Sequence, residues 1–227
     1  MVKPITKYAK MIKDPNKIIY ELEKSYSICN SGRKGPVFLD IPLDVQKANI
    51  KNNDLKATQK KFDKQVFDLK KAKSSIRKYL KDLKKSKRPV FLIGGGAQLS
   101  NCSSKVLKIA KALNVPCMPT WNGIDTVTSD FELYGGRVGT YGGPGRNFGI
   151  QNCDLLFGLG TRVSGRITGG NPATFAREAK KYVVDVDESL LQKYLQQVPL
   201  DINICCDAKI FITRLLKKLK QNNYFFF

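Results

Sequence analysis

Pro89-Val90-Phe91-Leu92-Ile93-Gly94-Gly95-Gly96 is a run of five uncharged residues delivered straight into three glycines. It has strand length, and no polar residue alternates with the apolar ones. A strand of that kind is covered on both faces, as in a parallel sheet. Four more short apolar runs follow at 115–118, 154–159, 182–186 and 202–206. Helical stretches fall near 103–113, 145–152, 172–180, 188–196 and 208–220. Strands alternating with helices predict an α/β domain built on a parallel sheet with helices on both faces.

Working outward, Val66, Leu69, Ile76, Leu80 and Leu83 describe one long amphipathic helix from Asp63, with a lysine-rich outer face. The preceding polar stretch has no apolar period and reads as a linker over 47–62. Upstream, Asp14-Pro15 is a helix start, with Asp as cap and Pro in the first turn. Ile18, Ile19, Leu22, Tyr26 and Cys29 then recur at helical spacing, Gly32 ends the run, and 37–41 reads as a buried strand closed by Pro42. The expected organisation is an incomplete α/β segment at 1–46, the linker, a nucleotide-binding-like domain at 63–220 and a tail at 221–227. That tail, ending Tyr224-Phe225-Phe226-Phe227, reads as an interrupted sequence.

The chain has 227 residues, a formal charge of +21, six cysteines and no histidine. Without histidine, a Ser-His-Asp triad, a Cys-His nucleophile and a histidine-containing zinc site are excluded. The cysteines have no C-x-x-C spacing, so adjacent Cys205 and Cys206 are expected as reduced thiols. Between Lys47 and Arg88 there are sixteen Lys/Arg and four Asp. Only Phe62, Phe67 and Tyr79 interrupt them, at helix-like positions, so base stacking lacks its platforms. A solvated linker and helix face is favoured over nucleic acid. No apolar run spans a bilayer, and the first residues carry no signal-peptide core. The expectation is a cytoplasmic protein with neither membrane nor nucleic-acid partner.

Ligands of open parallel sheets sit outside the carboxyl ends of the strands. Those ends carry Gly94-Gly95-Gly96, then Gly160-Thr161-Arg162, then Asp185-Val186-Asp187, then Asp207-Ala208. Residues 135–170 also hold twelve of eighteen glycines and four of nine arginines: Arg137, Arg146, Arg162 and Arg166. Glycine permits close backbone approach, and guanidinium groups grip phosphate oxygens in pairs. Arg162 and Arg166, spaced i and i+4, are expected to converge on one anion. Taken singly, the glycines are equally tight turns, and Asp185 and Asp187 equally strand-end caps. The dinucleotide fingerprint G-x-G-x-x-G is absent.

From Pro89 to Gly96 the chain resembles the central domain of thiamine-diphosphate enzymes of the acetolactate synthase type. The likeness runs through Gly139-Thr140-Tyr141-Gly142, Asn147 to Leu156, Gly158-Leu159-Gly160-Thr161-Arg162, Val184 to Asp187 and Cys206-Asp207-Ala208. Upstream, Gly35-Pro36-Val37 with Asp40-Ile41-Pro42 and Asp44-Val45-Gln46 is similar to the end of that family's pyrimidine-binding domain.

The resemblance implies a Rossmann-like central domain of the DHS-like NAD/FAD-binding type. It implies a 2-keto acid decarboxylase or carboligase using thiamine diphosphate and Mg2+, assembled as a homodimer or homotetramer. The glutamate that activates the cofactor and the Gly-Asp-Gly…Asn motif for magnesium have no counterpart here, so no catalytic or metal residue is assigned and the chain alone is expected to be inactive. In some members the central domain binds FAD, in others ADP or nothing. Carried over, that pattern places Gly94, Gly95, Gly96, Gly142, Gly160, Arg162, Ser164 and Arg166 along a diphosphate, and Asp185, Val186, Asp207 and Ala208 at the adenosine end. Flavin-binding members carry Arg-Phe-Asp-Asp-Arg where this chain has Arg162-Val163-Ser164-Gly165-Arg166, and Met-His-Gly where it has Thr140-Tyr141-Gly142. The departures favour an adenine nucleotide or an empty cleft over FAD. A non-catalytic adenine-nucleotide-binding module is the alternative.

Overall fold

The computed structural model describes residues 1–50, 65–140 and 142–222. The linker from 51 onward, Tyr141 and the tail from 223 lie outside the described residues. The chain divides into two compact units, Met1–Val66 and Phe67–Phe227.

In the first unit, β1 (Tyr8–Met11) and β2 (Val37–Asp40) pair in parallel, with Tyr8 opposite Val37 and Met11 opposite Asp40. The helix α1 (Ile18–Asn30) connects them, followed after β2 by the short α2 (Leu43–Gln46). Asp14 caps as expected: its carboxylate accepts from the Asn16 amide, and Pro15 opens a single 3-10 turn ahead of α1. At the other end, Lys7 donates to the carbonyls of Ile28 and Ser31, both at 2.6 Å. An ammonium there meets the negative pole of the helix and its unpaired carbonyls. Two expectations need correction. The strand read as buried is only half-covered, with Phe38 exposed, and Leu22 and Tyr26 of α1 also face outward. β1 was not expected, because Lys10 breaks its apolar run.

The second unit begins with α3 (Leu69–Leu83), capped by Asp68, whose carboxylate accepts from the amides of Lys70 and Lys71. Helix α3 starts six residues later than the sequence suggested, and Val66 stands exposed ahead of it. Next come β3 (Pro89–Ile93), α4 (Gly95–Leu99), α5 (Ser103–Leu113), β4 (Cys117–Pro119), α6 (Pro144–Gln151), β5 (Leu155–Leu159) and α7 (Gly165–Thr168). The chain then runs through β6 (Lys180–Asp185), α8 (Glu188–Gln197), β7 (Ile202–Cys205) and α9 (Ala208–Gln221). The expected helix at 172–180 is absent. Only Pro172–Thr174 forms a 3-10 turn, because Ala176 takes a left-handed φ of 45° and gives its amide to Gln151 Oε1 at 2.8 Å.

All five strands are parallel, in the order β4-β3-β5-β6-β7. One face packs on α3, α5 and α9 through Tyr79, Phe91, Phe157, Tyr182 and Phe211. Tyr79 is the hub, with ring centroids 4.8 Å from Phe157 and 5.4 Å from Tyr182. The other face buries Val90, Leu92, Leu156, Val183, Ile150 and Leu191. Asp154 pins the two central strands at their amino ends: its carboxylate accepts from Ser86 Oγ and from the amides of Lys87 at 2.7 Å and Arg88 at 3.1 Å. No helix among the described residues is long and apolar enough to cross a membrane.

Candidate functional site

Parallel strands point their carboxyl ends to one edge, so the strand-end residues picked from the sequence do share one edge. Strand order reverses at β3, with β4 on one side and β5, β6 and β7 on the other. The loops after β3 and β5 therefore flank the topological switch point, the usual ligand position in such sheets.

The glycines of those two loops touch one another. Gly94 donates to the Leu159 carbonyl at 2.9 Å, and Gly96 to the Gly160 carbonyl at 3.0 Å. A Cβ on Gly94 would lie 2.1 Å from the Gly160 oxygen, and one on Gly160, with φ at 57°, would lie 2.6 Å from Gly96 Cα. Gly95 is fixed by the Asn122 carbonyl, 2.5 Å from where its Cβ would sit. Packing of loop on loop thus accounts for Gly94, Gly95, Gly96 and Gly160 without any ligand.

Beyond β5 the chain turns into α7. Thr161 and Val163 are buried, Ser164 sits half-buried at the helix N-cap, and Arg162 and Arg166 are exposed. Arg162 precedes the helix and Arg166 lies in its first turn, so a single helical turn does not join the two guanidinium groups. Neither has a hydrogen-bond or ion-pair partner among the described residues. The neighbouring loop is held by Asn147, which accepts from the Gly139 amide at 3.1 Å and donates to its carbonyl at 3.0 Å. Thr140 donates its amide to the Arg166 carbonyl at 2.8 Å, tying this loop to α7. Gly142 belongs to the same clamp, since a Cβ there would meet Asn147 Oδ1 at 2.8 Å.

The acids at the ends of β6 and β7 act as caps. Asp185 is buried and accepts from the Asp187 amide at 3.0 Å. Asp187 in turn accepts from Ser189 Oγ at 2.6 Å and the Leu190 amide at 3.3 Å, at the start of α8. Asp207 caps α9 through the Ile210 amide at 3.0 Å and takes a second hydrogen bond from Ser100 Oγ at 3.2 Å. Val186 is half-buried, and Ala208 is buried in the first turn of α9. Asp187 and Asp207 keep acceptor capacity beyond these bonds.

The buried cysteines supply no nucleophile. Cys102, Cys153 and Cys206 are thiols whose pKa burial raises to about 11, and Cys117 to about 12. None is a thiolate near neutral pH. No group of three potential metal ligands occurs among the described residues. Two exposed arginines thus stand beside β5, and three carboxylates beside β6 and β7. Asn147 was quoted for its motif, but its clamp was not foreseen, since it depends on a loop eight residues away. The stacking of Arg137 over Trp121, 5.8 Å from its ring centroid, was also missed.

Residues 76–215 match the family model described as the thiamine pyrophosphate enzyme central domain. A probable acetolactate synthase large subunit of Methanocaldococcus jannaschii is 34% identical over 218 residues, covering 95% of this chain and 36% of that protein. The acetolactate synthase large subunit of Cyanidium caldarium is 30% identical over 220 residues, covering 96% and 37%. The chain thus spans little more than a third of the length of these curated relatives. Among solved structures, benzoylformate decarboxylase from Polynucleobacter necessarius shares the fold, with a TM-score of 0.69 at 21% identity over 96% of this chain and 39% of that one.

Proposed function

Because the chain belongs to the thiamine pyrophosphate enzymes through their central domain, we propose that it serves as the central, non-catalytic part of a 2-keto acid decarboxylase or carboligase of the acetolactate synthase type. The observation that carries this reading is the alignment with acetolactate synthase large subunits over 95% and 96% of the chain, which includes the first unit as well as the second. The partners that follow are a small 2-keto acid substrate and further copies of the same chain, as a homodimer or homotetramer.

The residues present do not fit thiamine diphosphate and its Mg2+. Asp187 and Asp207 each take part in capping a helix, and no metal-ligating cluster occurs among the described residues. Expected, with purified chain, thiamine diphosphate, Mg2+ and pyruvate, is no carbon dioxide release above the protein-free control; sustained turnover would overturn the non-catalytic assignment.

The edge does fit an adenine nucleotide. Arg162 and Arg166 are exposed, unpaired cations suited to a diphosphate. Asp207, half-buried at the start of α9, is assigned with the Val186 and Ala208 backbones to the ribose hydroxyls, while buried Asp185 holds the turn after β6. FAD is less well served, because Val163 is turned into the core and Ser164-Gly165 brings no acid to the loop. The purified chain is therefore expected to be colourless, and flavin copurifying at one equivalent would contradict this reading.

A further inference from the structure

The amino edge of the sheet holds a feature that the nucleotide cleft does not explain. β6 opens on Lys180-Lys181, and strand alternation sends the two side chains to opposite faces. Lys180 pairs with Asp82 at 2.8 Å. Lys181 shares its parity with Val183, which lies in the layer that also buries Cys153 and Leu200, and it is itself only 3% exposed.

An ammonium group has three donors. Lys181 gives one to the Ala179 carbonyl at 3.1 Å, and no second acceptor meets it among the described residues. Nearby carboxylates are committed elsewhere. Asp154 accepts from Ser86, Lys87 and Arg88, and Asp201 accepts the main-chain N–H of Lys181 at 2.8 Å. Cys153 senses the charge of Lys181, yet burial keeps it a thiol near neutral pH. A buried cation with no counter-charge is unfavourable unless something else neutralises it.

Lys181 lines an open surface depression of about 460 Å³, together with Arg177, Glu178, Lys180, Leu200 and Asp201. Arg177 is exposed and has no partner among the described residues. Glu178 and Asp201 are exposed too, so solvent screens their repulsion, whereas Lys181 acts from a poorly screened position. We propose that this depression binds a small oxyanion, a phosphate or carboxylate group, with Lys181 meeting its charge from within and Arg177 from the rim. The two rim acids disfavour polyphosphates.

The test uses the whole chain labelled with 15N, titrated separately with inorganic phosphate and with acetate at fixed ionic strength. Expected are saturable shifts at amides 177–181, 200 and 201, and the probe that saturates tells phosphate from carboxylate. Lys181→Met supplies an apolar side chain of similar length and is expected to bind at least about tenfold more weakly, and Arg177→Ala about fivefold more weakly. The proposal fails if neither probe saturates, if the shifts fall only at amides 160–166, or if Lys181→Met binds as wild type does. Should Lys181→Met not fold, Arg177→Ala decides, because its side chain holds nothing else, and unchanged affinity would then overturn the proposal.

Discussion

Replacing Gly94 by Ala probes the loop-on-loop packing at the switch point. Gly94 has φ at −96°, which any residue adopts, so the substitution introduces no backbone strain of its own. Its Cβ would lie 2.1 Å from the Gly160 carbonyl oxygen and 2.6 Å from Thr161 Cα, where ordinary contact begins near 3.4 Å. Both obstacles are backbone, and the Gly160 amide is tied to the Val184 carbonyl at 2.8 Å, so neither rotates aside. Overpacking against fixed atoms costs about 3 kcal/mol. With a urea m-value of roughly 2 kcal/mol/M, the unfolding midpoint should fall by about 1.5 M. Trp121 is the only tryptophan in the chain, so its fluorescence follows the second unit alone. Gly165→Ala is the control: nothing lies within 4 Å of its Cβ and its φ is not left-handed, so stability should hold or rise by about 0.5 kcal/mol. A Gly94→Ala midpoint equal to wild type would refute the packing account of the glycine triplet.

Tyr79 is fully buried and its hydroxyl has no hydrogen-bond partner among the described residues. Tyr79→Phe should therefore stabilise the chain by about 1 kcal/mol, read from the same urea midpoint, and a loss would show that the hydroxyl is satisfied. Burial pushes Asp82 and Asp154 up, but hydrogen bonds outweigh it and hold both below the ordinary value of 3.8: from Lys180 and Tyr182 to Asp82, and from Ser86, Lys87 and Arg88 to Asp154. A depressed folded-state pKa stabilises above the unfolded value and is lost as pH falls through the folded one. Stability should be flat from neutral pH down to about 4 on account of these groups and then fall. Asp154→Asn should be less stable than wild type by about 2 kcal/mol at pH 7, with the difference closing in acid; a pH-independent difference would refute the assignment.

The parallel sheet was legible because β3 and β5 are short, wholly apolar and each followed directly by glycine. Where a long-range contact overrides local pattern, the sequence misled. The apolar residues in 172–180 suggest a helix, but Gln151 captures the Ala176 amide and the left-handed turn ends it. At the site, residue positions were legible and their duties were not. Asp187 and Asp207 have ligand chemistry by type, yet their first obligation is capping. The glycines have phosphate-loop chemistry by type, yet they meet another loop. Arg162 and Arg166 looked like one clamp by spacing, and α7 begins between them, at Gly165.

Under the proposed function, the carboxyl edge of this central domain holds an adenine nucleotide through Arg162. Calorimetric titration of ADP into the wild-type chain and into Arg162→Ala tests it most directly. Expected is one site per chain in the wild type, weakened about tenfold or more in the variant, as for loss of a charge-assisted phosphate contact. No heat of binding in the wild type, or equal affinity in both proteins, would contradict it.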